Sequence, residues 1–258
     1  MNTKVAVITG AANGIGKGIA EKFAKEGYQI VIADIDDLNG EKVAKSIVSE
    51  GGRAEYFKID LLREEEIEKL FEFVYDKYDR IDTVICNAGV QIRDWAVDFD
   101  SEQFDMLMGI NVRAYYLCAR TAARYMKNQE SKGNIVCISS VNSISYHSKR
   151  SPYNISKAAI NGMVGTLAVE WGRDNIRINA VAPGYVKTEL MESGIREGII
   201  DEKNIMSVIP YKRYIEIEEI ANVVLFLSSD MASGVTGQVI YVDGGWSKNA
   251  LPEDKNME

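Results

Sequence analysis

The chain has 258 residues, 46% apolar and 26% charged, the balance of an ordinary soluble globular protein long enough for one large α/β domain or two small ones. Its net charge of −8 argues against a nucleic-acid or anionic-membrane surface as partner. A single histidine without clustered ligands excludes a catalytic zinc, and three cysteines without paired spacing point to buried thiols in a reducing compartment.

The N-terminus runs directly into a strand pattern with no secretory signal, and no apolar run approaches the roughly 20 residues of a membrane span, so the expected location is the cytoplasm. A strand over 5–9 leads at once into Gly10-Ala11-Ala12-Asn13-Gly14-Ile15-Gly16 and an amphipathic helix reaching about residue 25. Glycines there let the backbone turn tightly and approach a diphosphate resting on the helix N-terminus. The Gly-x3-Gly-x-Gly spacing departs from G-x-G-x-x-G, and a glycine-rich turn without a ligand is the alternative.

The second strand, 29–33, ends in Asp34, eighteen residues after Gly16. An acid placed there accepts hydrogen bonds from an adenosine ribose and repels a 2′-phosphate. Neither Asn13 nor Ile35 offers a compensating positive charge, and Asp36 and Asp37 add negative charge, so the expected cofactor is NAD, not NADP. An exposed loop acid is the alternative for Asp34.

A helix over 37–49, a strand over 54–59 closing at Asp60-Leu61, a helix near 64–78 and a strand over 83–86 ending in Asn87-Ala88-Gly89 follow with short links. This alternation predicts a single doubly wound, Rossmann-type α/β domain over 1–246, with a parallel seven-stranded sheet flanked by helices. The loops after the first and fourth strands should face each other where ligands bind.

A long helix over 101–127 carries Asn111 among apolar neighbours, which marks a local irregularity, a buried polar role or simply a satisfied core amide. A strand then ends at Ser140, and Ser151-Pro152 reads as the N-cap and first position of a helix reaching Trp171. Tyr153 and Lys157 sit four apart on one face of that helix. An ammonium so close should lower the phenol toward the working pH and equip Tyr153 as general acid or base, with Ser140 bonding the same substrate oxygen. A sixth strand, 177–182, closes at Pro183-Gly184. The segment 188–214 is a candidate substrate lid or a surface excursion, and a helix over 216–228, a strand over 238–242 and a polar tail over 247–258 complete the chain.

Together the motifs Thr9 to Gly16, Asp60-Leu61, Asn87-Ala88-Gly89, Asn111, Ser140, Tyr153-x3-Lys157 and Pro183-Gly184 with Thr188 resemble the short-chain dehydrogenase/reductase family over residues 3 to 246. The resemblance implies that Tyr153 is the general acid and base, that Lys157 tunes it and holds the nicotinamide ribose, that Ser140 orients the substrate oxygen and that Asn111 holds a water linking Lys157 to solvent. It further implies that Thr9, Gly10, Asn13, Gly14, Ile15 and Gly16 cradle the diphosphate, Asp34 and Ile35 the adenosine ribose, Asp60 and Leu61 the adenine. Asn87, Ala88, Gly89, Ile138, Pro183, Gly184, Val186 and Thr188 would line the rest of the cofactor site. It also implies a homotetramer built on the two long helices and the last strand.

The loops after the fourth and fifth strands offer Gln91, Arg93, Asn142, His147 and Arg150 around Ser140 and Tyr153, a polar set suited to a small alcohol or ketone substrate: a sugar, polyol or sugar acid. His147 reads equally as a solvated loop residue. A 3-oxoacyl thioester reductase and a non-catalytic NAD-binding sensor or scaffold are the alternative readings.

Overall fold

The computed structural model describes residues 3–198 and 201–249; the polar tail from residue 250 onward lies outside them. Seven parallel strands form one sheet in the order β3-β2-β1-β4-β5-β6-β7: β1 Val5–Thr9, β2 Gln29–Asp34, β3 Arg53–Lys58, β4 Thr83–Cys86, β5 Asn134–Ile138, β6 Arg177–Pro183 and β7 Val239–Val242. Strands β1, β4 and β5 are buried at every position, as parallel strands covered on both faces must be. Alternate β1 residues serve opposite layers. Val5 and Val7 pack toward α3 (Glu64–Tyr78), α5 (Ala114–Asn128) and α6 (Ser151–Trp171). Ala6 and Ile8 face α1 (Gly14–Lys25), α2 (Asp37–Ser49) and α9 (Ile217–Ser228). Cys86, Cys118 and Cys137 are free, buried thiols within the first of these layers, as the sequence predicts.

Strand order reverses between β1 and β4, so the loops after these strands meet at the C-terminal edge of the sheet. The glycine turn fits there closely: Gly10 has φ +65°, and a Cβ on it would lie 2.6 Å from Ala88 Cα. The long helix over 101–127 is interrupted where the sequence signals it. Here α4 (Ser101–Met108) passes through a π-helical turn at Gly109–Arg113 before α5, and Asn111 lies inside that turn.

One predicted cap is wrong. The N-cap of α6 is Arg150, whose carbonyl already accepts from Asn154 N at 2.8 Å, so Ser151 and Pro152 both lie within the first turn; Lys149 before it is left-handed (φ 59°). The segment 188–214 carries two short helices, α7 (Glu189–Arg196) and α8 (Glu202–Val208). A small cluster of Val141, Ile205, Ile209 and Trp246 seats α8 over the C-terminal edge, with Tyr185 and Met191 packed against it. Among the described residues no helix is long and apolar enough to cross a membrane.

Candidate active site

The loop after β1 and the loop after β4 are clasped by Asn87. Its side chain donates to Thr9 O at 3.0 Å and Gly10 O at 2.9 Å, while Thr9 Oγ1 accepts from Asn87 N at 3.0 Å. A Cβ on Gly16 would overlap both the Gly10 carbonyl oxygen and the Asn87 side-chain nitrogen, so only glycine lets α1 start this close. Asn13 precedes α1 in extended backbone and gives no side-chain cap, and around Gly14 (φ +55°) a Cβ would meet nothing within 4 Å. The first-turn N–H groups of α1 thus have no side-chain cap, and the space beside Gly14 is open, with Ile15 next to it: a cradle that fits a diphosphate.

At the other end of this cradle stands Asp34. Its carboxylate accepts from Ala12 N at 2.9 Å and Asp36 N at 3.1 Å, which aims it across the glycine turn. Asp37 receives Lys58 and the Tyr56 hydroxyl, so the nearest lysine is already neutralised. Ile35 and Asp60 line one surface cleft with Phe57 and Lys58, beside Leu61.

Under Gly89 lies the buried amide of Asn111. Oδ1 accepts from Val90 N at 2.9 Å, and Nδ2 donates to Val90 O at 2.9 Å and Ser156 Oγ at 3.2 Å. The π turn rotates this side chain out of helical register into a strand-like pairing with Val90, joining the loop after β4 to α6. Replacing Asn111 by Leu leaves the part-buried Val90 N–H and C=O unpaired and should cost at most about 2–6 kcal/mol, at ~1–3 kcal/mol per group. Urea unfolding of the two proteins checks this.

Ser140, Tyr153 and Lys157 converge past the end of β5. Ser140 Oγ accepts from Asn142 N at 3.1 Å, which leaves its hydroxyl proton free to donate. Lys157 Nζ donates to Ile138 O at 2.8 Å and lies 5.2 Å from the Tyr115 ring centroid and 5.6 Å from that of Tyr153. The expected electrostatics are therefore corrected: burial raises the Tyr153 phenol above its ordinary value, opposed by the Ser140 hydroxyl and the Arg150 charge, while the ammonium turns to a carbonyl. Burial also brings Lys157 down to about 8.

Three further residues complete the arrangement. The buried Tyr115 donates to the same Ile138 O at 3.2 Å, so phenol and ammonium share one carbonyl. Ser139 Oγ reaches Asn161 Oδ1 at 2.8 Å, and Ser156 carries the bond from Asn111. Tyr115 lies four residues after Asn111, a signal blurred by the π turn between them.

The other expected site residues divide. Gly184 follows Pro183 at the end of β6 and abuts Asp243, Val186 pairs with Ile215, and Thr188 Oγ1 caps α7 through Met191 N at 3.2 Å. Gln91 and Arg93 are exposed in the loop after β4. Asn142 is withdrawn: it is 3% exposed and its amide bonds Asn154 Oδ1 at 3.0 Å, so it shapes the Ser140 turn and presents nothing to a substrate. His147 is half-buried against Trp246, not a solvated loop residue.

A family model described as enoyl-(acyl carrier protein) reductase matches residues 10–247. The chain is 36% identical over 242 residues to the 3-oxoacyl-(acyl-carrier-protein) reductase FabG of Thermotoga maritima, covering 94% of this chain and 97% of that protein. It is 36% identical over 244 residues to an NAD-dependent glycerol dehydrogenase of Listeria innocua, covering 95% and 94%. Among solved structures, an NADP-bound Agrobacterium tumefaciens protein provisionally assigned as a 2-deoxy-D-gluconate 3-dehydrogenase superposes with TM-score 0.87 at 30% identity, covering 95% and 97%.

Proposed function

The chain belongs to the short-chain dehydrogenase/reductase family, and from that premise we propose that it is an NAD(H)-dependent dehydrogenase of a small polar secondary alcohol, a sugar, polyol or sugar acid. The bound nicotinamide supplies the hydride chemistry. The chain's own residues handle one proton and one oxygen. In the oxidative direction Tyr153 takes the proton of the substrate hydroxyl, and in the reductive direction it returns one to the carbonyl oxygen. Ser140 donates to that oxygen and holds it within reach of the phenol. Asn111 fixes the loop under Gly89, and Lys157, with its ammonium at Ile138 O, presents positive charge beside the phenol and the nicotinamide ribose.

The observation that carries the cofactor preference is the Asp34 carboxylate, held by two backbone N–H groups at the adenosine end of the cradle, with Asp36 and Asp37 next to it and Lys58 bound to Asp37. A 2′-phosphate placed there meets the Asp34, Asp36 and Asp37 carboxylates, with Lys58 already bound to Asp37 and Lys69 farther along the cleft that Ile35 lines. Titration of the protein with each reduced cofactor by fluorescence should give NADH binding at least about 30-fold tighter than NADPH, roughly 2 kcal/mol.

A second reading, a 3-oxoacyl thioester reductase, draws on the Thermotoga maritima relative. Tighter NADPH binding with turnover of 3-oxoacyl thioesters and not of polyols would put that reading first. Cofactor binding without turnover on either class would make the chain a sensor. A homotetramer accords with the large apolar side chains exposed on α4, α5 and α6, among them Phe104, Tyr116, Ile155 and Val169.

A further inference from the structure

Among the described residues, two arginines at the mouth of the site have no carboxylate to answer them. Arg93 lies in the loop after β4, and Arg150 precedes α6, three residues before Tyr153. The two loops are tied together beside them: Asp94 N donates to Lys149 O at 3.1 Å, and the Lys149 ammonium lies 4.8 Å from the Trp95 ring centroid. Neither Arg93 nor Arg150 forms an ion pair among the described residues, a property they share with Arg53, Arg124, Arg173, Arg177 and Arg196; what sets these two apart is that they lie together beside Tyr153.

Arg150 is partly buried, and the charged and titratable groups that act on it are Arg93, Tyr185 and Tyr153; its ionisation is pressed down by burial first and then by Arg93. His147 feels the same two guanidinium groups, and its buried Nε2 has no hydrogen-bond partner. Behind it an aromatic wall is built from Trp246, 5.3 Å from the His147 ring, stacked on Tyr185 at 4.8 Å. That wall is placed by Asp243, whose carboxylate accepts from Gly245 N at 2.9 Å and Ser247 N at 2.8 Å and so turns Trp246 under the site. Arg150, partly out of water and beside a like charge on the exposed Arg93, raises the free energy of the empty site, and an anion between the two relieves both costs. The planar guanidinium fork suits a carboxylate.

On the dehydrogenase reading above, we propose that Arg93 and Arg150 form an anion subsite that takes the carboxylate of a small polyhydroxy acid while Ser140 and Tyr153 hold its reacting hydroxyl. Arg150 precedes Tyr153 by three residues and its charge acts on the phenol, so carboxylate and carbinol are separated by only a few carbons. His147 Nε2 meets an intervening hydroxyl. The substrate class narrows from sugars and polyols to sugar acids.

The test compares five- and six-carbon aldonic acids with the matching uncharged alditols, using NAD, for the unaltered protein and for Arg93→Gln, Arg150→Gln and Arg150→Lys. The acids should have kcat/KM at least about tenfold above the alditols, and each glutamine variant should lower that ratio at least about tenfold through KM. Arg150→Lys should recover part of the ratio, and added salt should raise KM for the acids alone. Alditols turned over as well as the acids, or variants that depress both classes alike, would overturn the anion subsite and leave the dehydrogenase reading standing. Turnover of 3-oxoacyl thioesters alone would overturn that reading and the subsite with it. Should nothing turn over, calorimetric titration of the NADH-bound protein with an aldonate decides: binding weakened by Arg150→Gln supports the subsite, and no binding at about 10 mM refutes it.

Discussion

Tyr153→Phe should lower turnover by about 10³-fold, within the range of roughly 10²–10⁴ that a positioned general acid or base contributes, while NADH affinity changes by no more than a few-fold. The ring remains in place and only the hydroxyl is lost, so the stacking of Lys157 over Tyr153 and the start of α6 should survive. The pH dependence gives a second signature. In the free protein burial holds the phenol protonated and brings Lys157 to about 8, so at neutral pH the pair stands as phenol and ammonium, the form that donates a proton. Ketone reduction should therefore be flat from about pH 6 to 7.5 and fall above pH 8 as Lys157 and then Tyr153 lose their protons. Alcohol oxidation needs the phenolate and should rise with pH over the same window. Steady-state rates in both directions, with the unaltered protein and the variant, check the assignment; a variant that keeps more than about a tenth of the activity would remove Tyr153 from proton transfer.

Gly16→Val should abolish measurable cofactor binding, a loss of more than about 100-fold, or 2.7 kcal/mol. The added side chain overlaps the Gly10 carbonyl and the Asn87 amide, so α1 must move away from the turn or Asn87 must release Thr9 and Gly10. Either response opens the cradle, and overpacking of this kind costs typically about 1–3 kcal/mol of stability. Gly14→Ala separates that collision from a general loss of glycine freedom. Its φ of +55° makes alanine strained, but a Cβ there meets nothing within 4 Å, so the variant should lose about 1 kcal/mol of stability while its N-terminal N–H groups stay in place. Cofactor titration and thermal unfolding of the two variants should thus diverge: the valine loses binding, the alanine keeps most of it. Equal losses would mean that the glycines serve only the turn conformation.

Most of the sheet is legible in the chain order of apolar runs, because strand and helix periods are local and Gly and Pro punctuate them. The expected bounds of β1, β4, α2 and α3 agree with the structure at both ends, and α1 ends at Lys25 as expected but starts at Gly14, inside the glycine turn; β3 lies one residue earlier than expected, and β7 begins one later, where Gln238 N bonds Asn179 Oδ1. The irregularity at Asn111 is legible for the same local reason: an amide in an apolar helix face must leave the helix pattern or find partners, and here it does both.

Sequence alone thus specifies which elements form, their order and the residue types that reach the C-terminal edge of the sheet, since these depend on neighbours within a turn or a strand. Tertiary packing alone settles how the side chains at that edge are spent. Asn87 is committed to Thr9 and Gly10 across the β1–β4 junction, Asn142 to Asn154, and the Lys157 ammonium to a carbonyl it shares with Tyr115. Burial, not the i, i+4 ammonium, sets the direction of the Tyr153 shift. Arg93 and Arg150, 57 positions apart, confront each other only because the loops after β4 and β5 close over one mouth. Hydrogen-bond partners and desolvation belong to contacts between distant segments, and no local spacing encodes them.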